Sequence, residues 1–333
     1  PIIKNYEKDK SISQILITSS TLSSSKVFKK FSFKKTIHQF YPLDYFFFIN
    51  KFLNYWKPSL AIFIDSEIWP NMFQKLEGEK IPLVLLNARI TRKTFNRWIK
   101  FRNFSQKIFD KILIAYPQNL ETKYYLKKLK VNKIKLIGNL KFIETDEKRQ
   151  NKINKGFKLQ FKNKKIWVAS STHITEEIFC AKAHIELKNK INNLTTIIIP
   201  RHIHRVKKII SEIRKLNLKV TSHSSKIKNL KNTDIYIVDT FGETKKFHKI
   251  GCSVFLGGSI IKRGGQNPLE AARFGARILH GPFIDNFKDV YKLLKSFNVS
   301  KKISTPKQLA SLITFRKNER IGPRIDKIGA IIL

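Results

Sequence analysis

Two successive series of short apolar runs, separated by amphipathic stretches, constrain this chain more than any other feature. In the first series "QILITSS" (14–20), "SLAIFID" (59–65), "IPLVLLNAR" (81–89), "KILIAYP" (111–117) and "IKLIGN" (134–139) have the length and branching of buried strands. The segments between them, such as 43–57 and 118–130, carry helical spacing. The second series comprises "IWVASST" (166–172), "TTIIIP" (195–200), "LKVTSH" (218–223), "IYIVDT" (235–240), "CSVFLGG" (252–258) and "ARILHGP" (276–282), with a weakly patterned helical tail after 300. Residues 142–163 between the series are polar and lack a strand signal, so they read as linker and helix at a domain boundary. Strand–helix alternation implies parallel sheets. The expectation is an α/β chain of two tandem Rossmann-like domains, 1–145 and 164–333, joined by a linker at 146–163. Ligands of such sheets sit at the carboxyl ends of strands, and a pair of domains places a cleft between two such edges.

The stretch "GGSIIKRGGQNPLEAARFGA" (257–276) concentrates four glycines in nine positions of a chain with only 13. An apolar run precedes it and a helix-forming run follows, so it reads as strand, glycine-rich turn and helix. Asn267 is suited to the N-cap and Pro268 to the first helical position. A helix opened this way turns free N–H groups and its positive dipole end toward the turn, which suits a phosphate. Glu270 in the first turn is placed to accept hydrogen bonds from ribose hydroxyls. An ordinary glycine-rich βα loop with a dipole-pairing Glu fits the same residues.

The charge is extreme: 66 Lys and Arg against 24 Asp and Glu, formally +42. A polyanionic partner accounts for it, whether nucleic acid, anionic membrane or phosphorylated lipid. So does A+T-rich coding, which inflates Lys, Asn, Ile and Phe together. The basic residues are spread along the whole chain, and no helix-turn-helix or aromatic–basic RNA motif occurs, so a nucleic-acid partner is not expected. Cys180 and Cys252 lie far apart without a CxxC pairing, so neither a disulfide framework nor a zinc cluster is implied. The most apolar stretch, 41–64, is interrupted by Asp44, Lys51, Lys57 and Pro58, too often for a membrane span.

Polar groups end nearly every predicted strand: Asp65 and Glu67, Asn87 and Arg89, Lys141, the run "SSTH" with His173, then Arg201, His202, His204 and Arg205, and finally Asp239, Thr240, Gly242 and Glu243. Arg201, Lys141 and the glycine-rich turn suit phosphate or carboxylate, while Gly242, Glu243, Asn267 and Glu270 suit a nucleoside. Asp65 and Glu67 also fit a simple capping role, and Glu67 is taken as structural. Neither a P-loop, an early GxGxxG, HExxH nor GxSxG is present. His202 and His204 lack a third ligand. Transfer of a group from a nucleotide-activated donor is the chemistry that remains.

The motifs "DSEIWPN", "LLNARIT", "GNLKF", "STHITEE", "PRHIHR", "DTFGE" and "GGSIIKRGGQNPLEAARFGARILHGPFIDNFKD" occur in an order and spacing that resemble the 3-deoxy-D-manno-octulosonic acid (Kdo) transferases, over residues 1 to beyond 290. The resemblance implies a GT-B fold with two parallel-sheet domains facing an interdomain cleft. It implies inverting transfer of Kdo from CMP-Kdo to lipid IVA without metal or cofactor, at the cytoplasmic face of the inner membrane. It assigns CMP contacts to Pro200, Arg201, Phe241, Gly242, Glu243, Asn267, Pro268, Leu269 and Glu270, and transition-state stabilisation to Asp65 and Lys141. Asp65 stands where the family usually has Glu, Gln266 where it has His, and Phe241 where it has Met or Leu. The family's membrane-anchoring N-terminus and general-base Glu would lie before Pro1, so the chain as given is expected to bind donor and to transfer poorly. A GT-B enzyme using a UDP- or GDP-sugar and a truncated inactive relative are the alternatives.

Overall fold

The computed structural model describes residues 2–29, 31–140, 159, 161–225 and 230–332. Lys141 and most of the expected linker lie outside the described residues. The chain divides into two compact units, Pro1–Ile143 and Glu144–Ile331.

The first unit holds two parallel sheets. One pairs β1 (Ile15–Ser19) with β2 (Thr36–Phe40); the other orders β3 (Ala61–Ile64), β4 (Leu83–Ala88) and β5 (Ile114–Pro117) side by side. Alternate residues of β4 face a core that includes Phe73, Leu85, Phe109 and Leu126. Asp44 caps the helix Pro70–Gly78 by accepting from the N–H groups of Asn71 and Met72 at 3.2 and 2.9 Å. "IKLIGN" does not form the strand expected at 134–139. Ile134 makes a single bridge to Ala115, and the backbone turns at Gly138, whose φ is +96°. β2 has no counterpart in the sequence reading because "TIHQF" alternates polar residues with only two strongly apolar ones.

The second unit is one seven-stranded parallel sheet. Its strands are β6 (Lys165–Thr172), β7 (Leu194–Pro200), β8 (Val220–Ser222), β9 (Ile235–Ile237), β10 (Ser253–Leu256), β11 (Arg277–His280) and β12 (Ser300–Lys302), in the order β12-β11-β10-β6-β7-β9-β8. The unit starts at the middle with β6, builds outward through β7 to β8 at the edge with β9 entering between them, then returns to the other side of β6. That reversal lies between β6 and β10, the position where open α/β sheets hold ligands. β6, β7 and β10 are buried almost throughout, as sheets covered on both faces require. Trp167, Ile198, Ile209 and Phe255 belong to the core. The tail after 300 holds β12 as well as the helices Pro306–Leu312 and Ile321–Ile332. Ser300 and the two lysines that follow it carry no strand signal of their own.

Candidate functional site

The glycine-rich turn is folded by one carboxylate. Glu176, the first residue of the helix Glu176–Lys188, is fully buried. Its side chain accepts from the N–H groups of Gly258 (2.7 Å), Ser259 (3.1 Å), Ile260 (3.0 Å) and His173 (3.0 Å). A buried carboxylate is costly, and four charge-assisted hydrogen bonds offset that cost. Gly257 is needed for the approach: a Cβ there would stand 2.4 Å from the Ser171 carbonyl oxygen and 2.6 Å from the Thr172 Cα. Gly258 adopts a φ of +66°.

This corrects two expectations. The first three N–H groups after Gly257 are not free for a phosphate, because Glu176 holds them. The following helix, Leu269–Arg273, is only five residues long, so its dipole is small. Pro268, not Asn267, takes its N-cap position, and Asn267 acts one residue earlier by accepting from the Leu269 N–H at 3.1 Å.

The positive charge at this edge comes from side chains. The Arg201 N–H donates to the Thr172 carbonyl at 2.9 Å, which docks the end of β7 beside the end of β6. Arg201, His202, His204 and Arg263 are all exposed. Arg201 makes no ion pair among the described residues. The His202 ring lies 5.8 Å from that of His173 and 5.6 Å from that of His204, between centroids. Burial lowers the pKa of His173 below its ordinary value; Glu176 opposes this, while His202, Arg263 and Arg201 add to it. His202 is lowered by burial, then by His204, Arg201, Arg205 and Arg263. The His173 Nε2 is buried without a hydrogen-bond partner. Arg205, in contrast, is engaged: its guanidinium donates to both Glu177 oxygens at 3.0 and 3.2 Å, and Thr172 Oγ1 donates to the same carboxylate at 3.2 Å. That carboxyl is still raised above the usual glutamate value, because burial outweighs Arg205 and Thr172.

The nucleoside-facing expectations fall on the next strand ends. Beyond β9, Phe241 is 79% exposed and Gly242, at φ +85°, has open space around its Cα. Glu243 lies 2.6 Å from Lys246 Nζ, yet its Oε2 makes no aligned hydrogen bond. The helices Thr244–Ile250 and Leu269–Arg273 pack together. Across that contact His248 Nδ1 stands 3.3 Å from Glu270 Oε1. The fold thus gathers Pro200, Arg201, Phe241–Glu243 and Asn267–Glu270 on the carboxyl ends of neighbouring strands of one sheet. A separate cavity of about 890 Å³, lined by Arg277, Asn298, Arg316 and Arg320 among others, lies at the amino ends of β11 and β12, away from that edge.

In the first unit Asp65 ends β3 in a left-handed conformation, φ +60°. Asn87, nearly buried and also left-handed at φ +51°, donates to Asp65 Oδ1 at 2.5 Å and accepts from the Leu140 N–H at 3.0 Å. Backbone of this kind at a bulged strand end is a frequent mark of a site. Glu67 is exposed and accepts from Trp69 Nε1 at 2.8 Å, a local contact.

Residues 1–144 match the family described as 3-Deoxy-D-manno-octulosonic-acid transferase (kdotransferase). The 3-deoxy-D-manno-octulosonic acid transferase of Rickettsia prowazekii is 36% identical over 320 residues, which is 94% of this chain and 68% of that protein. The chain belongs to the Kdo transferase family. The Haemophilus influenzae Kdo transferase is 30% identical over 297 residues, 88% of this chain and 70% of its own length. The Kdo transferases are glycosyltransferases, as the sequence motifs imply. The solved UDP-GlcNAc 2-epimerase of Methanocaldococcus jannaschii aligns with 98% of this chain and 94% of its own, with a TM-score of 0.59 at 17% identity. That likeness concerns the fold alone: two Rossmann-like units in tandem, the GT-B class.

In the sequence Glu176 and Glu177 stand only within the motif "STHITEE", and His248 carries no signal of its own. Their roles depend on contacts across 82, 28 and 78 positions of the chain, which local pattern does not encode.

Proposed function

We propose that this Kdo transferase uses CMP-Kdo as donor and lipid IVA as acceptor, in an inverting and metal-independent transfer that belongs to lipopolysaccharide core biosynthesis. The carrying observation is the exposed guanidinium of Arg201, without an ion pair among the described residues, set among His202, His204 and Arg263 at the switch point of the second unit. An acceptor hydroxyl oxygen forms the new bond to the anomeric carbon while that carbon's bond to the CMP phosphate breaks. The phosphate oxygen keeps the electron pair, the hydroxyl proton leaves to a base, and CMP departs as a phosphate monoester. Charge therefore grows on the phosphate, where a preorganised cation lowers the barrier. Pro200, Phe241, Gly242, Glu243, Asn267, Pro268, Leu269 and Glu270 form the nucleoside side of the site. Phe241 offers an aromatic face, and Glu243 and Glu270 offer acceptors. Asp65 and Lys141 stabilise the transition state, as the family resemblance implies; Leu140, the residue before Lys141, is tied to Asp65 through Asn87.

The acceptor side of the proposal places the protein against the cytoplasmic face of the inner membrane. Leu43, Tyr45, Phe46, Phe47, Phe48 and Tyr55 are exposed around the helix Phe46–Trp56, with Lys51 and Lys57 beside them. An apolar patch edged by cations suits anionic lipid headgroups. No helix among the described residues is long and apolar enough to cross a membrane.

Calorimetric titration of CMP against wild type, Arg201→Ala and Glu270→Ala tests the donor site. Each substitution is expected to weaken CMP about tenfold or more, as loss of a charged hydrogen-bond partner does. CMP binding untouched by both changes would overturn the site, and UDP or GDP binding more tightly than CMP would favour the other nucleotide-sugar class.

A further inference from the structure

Glu270 is one of the two carboxylates that the proposed function relies on, yet its helix is a little over one turn long and its side chain is 35% exposed. Something else must fix where its carboxylate points. From the neighbouring helix His248, nearly buried, faces it, with Nδ1 standing 3.3 Å from Glu270 Oε1. On its other side the ring is held by β6: His248 Nε2 lies 3.0 Å from Ser170 Oγ, and Ser170 is itself buried. The Nδ1 is shielded from solvent and makes no aligned hydrogen bond as the chain stands. A buried donor left unsatisfied is costly, so the arrangement favours any state in which Nδ1 finds an acceptor.

We propose that His248 is a positioning residue for the donor site, holding the Glu270 carboxylate in the orientation that receives the donor's ribose hydroxyls. This deepens the proposed function and rests on its assignment of Glu270. In the proposed arrangement the Ser170 hydroxyl, 3.0 Å from Nε2, takes the donor role, which leaves the ring proton on Nδ1. When ribose hydroxyls draw on one Glu270 oxygen, the other closes on the Nδ1 proton, and the buried donor is satisfied only in the bound state. No proton is transferred. The ring acts as a strut between the central strand and the exposed face of a short helix, as outer residues do for metal ligands.

The test is CMP affinity by calorimetry, with melting temperature recorded alongside, for Glu270→Gln, His248→Asn, His248→Gln, His248→Leu and the double variant His248→Leu/Glu270→Gln. An Asn side-chain nitrogen can stand where Nδ1 stands, whereas the longer Gln places its nitrogen nearer Nε2. His248→Asn is therefore expected to keep affinity within about threefold of wild type, and His248→Gln and His248→Leu to lose about tenfold. The double variant is expected to bind within about twofold of Glu270→Gln alone, because coupled residues are not additive. Equal affinities for the Asn and Gln variants, or full additivity in the double variant, would overturn the inference while leaving Glu270 as a ligand residue. Wild-type affinity in Glu270→Gln would instead remove Glu270 from the donor site, and with it the role proposed for His248. Should His248→Leu fail to fold, the Asn–Gln comparison decides.

Discussion

The carboxylate of Glu176 lies 2.7 Å from the N–H of Gly258, across 82 positions of sequence, and this contact welds the end of β6 to the glycine-rich turn after β10. The same carboxylate takes the next two N–H groups of the turn and that of His173. The turn is thus preorganised from below by an internal anion, and its outer face is left to cations on side chains. A phosphate docking here meets Arg201, His202, His204 and Arg263 in place of bare backbone.

Glu176→Gln tests that division of labour. The amide would keep one acceptor oxygen but turn an NH2 toward amides that need acceptors. Loss of charge-assisted bonds at a fully buried site is expected to cost about 2–4 kcal/mol. For a unit of this size that lowers the melting temperature by about 5–15 °C. A thermal scan showing less than a 2 °C fall, by the same conversion under about 1 kcal/mol, would mean the turn holds itself.

Arg205→Ala separates a structural cation from a ligand-facing one. It would leave Glu177, nearly buried, without its bidentate partner, at a cost of about 3–5 kcal/mol. The pH dependence has a definite sign. Burial already raises the Glu177 carboxyl above 4.5, and removing Arg205 raises it further. Below the unfolded value the group is protonated in both states and the penalty vanishes; above the folded value the penalty is complete. The gap between variant and wild type in urea unfolding should therefore be wide at pH 7.5 and shrink toward pH 4.5. A gap that stays constant with pH would show that Glu177 is not the group left exposed to the loss.

How much of this was legible in the sequence depends on whether the signal was local. Ten of the twelve strands among the described residues coincide with apolar runs, most directly where a parallel strand is buried on both faces, as β6, β7 and β10 are. β2 and β12 escaped since they are edge or near-edge strands with polar residues, paired through partners distant in sequence. The candidate site divides in the same way. Arg201, Phe241 and Glu270 follow from what stands at strand ends. Glu176 and His248 do not, since a glutamate in a first helical turn and a histidine in a short helix each have common local explanations. Asn267 was recognised as a capping residue, but its placement slipped by one, the usual uncertainty of helix ends.

The two depressed histidines predict proton uptake on anion binding. His173 and His202 are held below their ordinary value chiefly by burial, and further by neighbouring cations and rings: His202, Arg263 and Arg201 for His173, and His204, Arg201, Arg205 and Arg263 for His202. An anion placed among them offsets the cationic terms and raises both values. Affinity must then rise as pH falls through the histidine range, the free protein being the less protonated state. Sulfate is the appropriate probe, since its charge is constant there while a nucleotide phosphate titrates near pH 6. Its dissociation constant is expected to fall about three- to tenfold between pH 7.5 and 5.5, and His202→Gln to flatten that trend. A pH-independent constant in wild type would place the anion away from these rings.

Asn87 is the strongest single test of the first unit. Its side chain links Asp65 to the Leu140 N–H, and its backbone sits at φ +51°, a conformation Asn tolerates better than other non-glycine residues. Asn87→Ala removes both hydrogen bonds, takes the side-chain acceptor from the Leu140 N–H and adds left-handed strain. The expected loss is about 2–3 kcal/mol of stability. Asn87→Gly relieves the strain and isolates the hydrogen bonds. If Asp65 acts on the transferred sugar, both variants should lower the maximal rate of Kdo transfer about tenfold or more, with CMP affinity unchanged, as loss of precise positioning does. Reduced stability with an unaltered rate would assign Asn87 and its contact with Asp65 to folding alone.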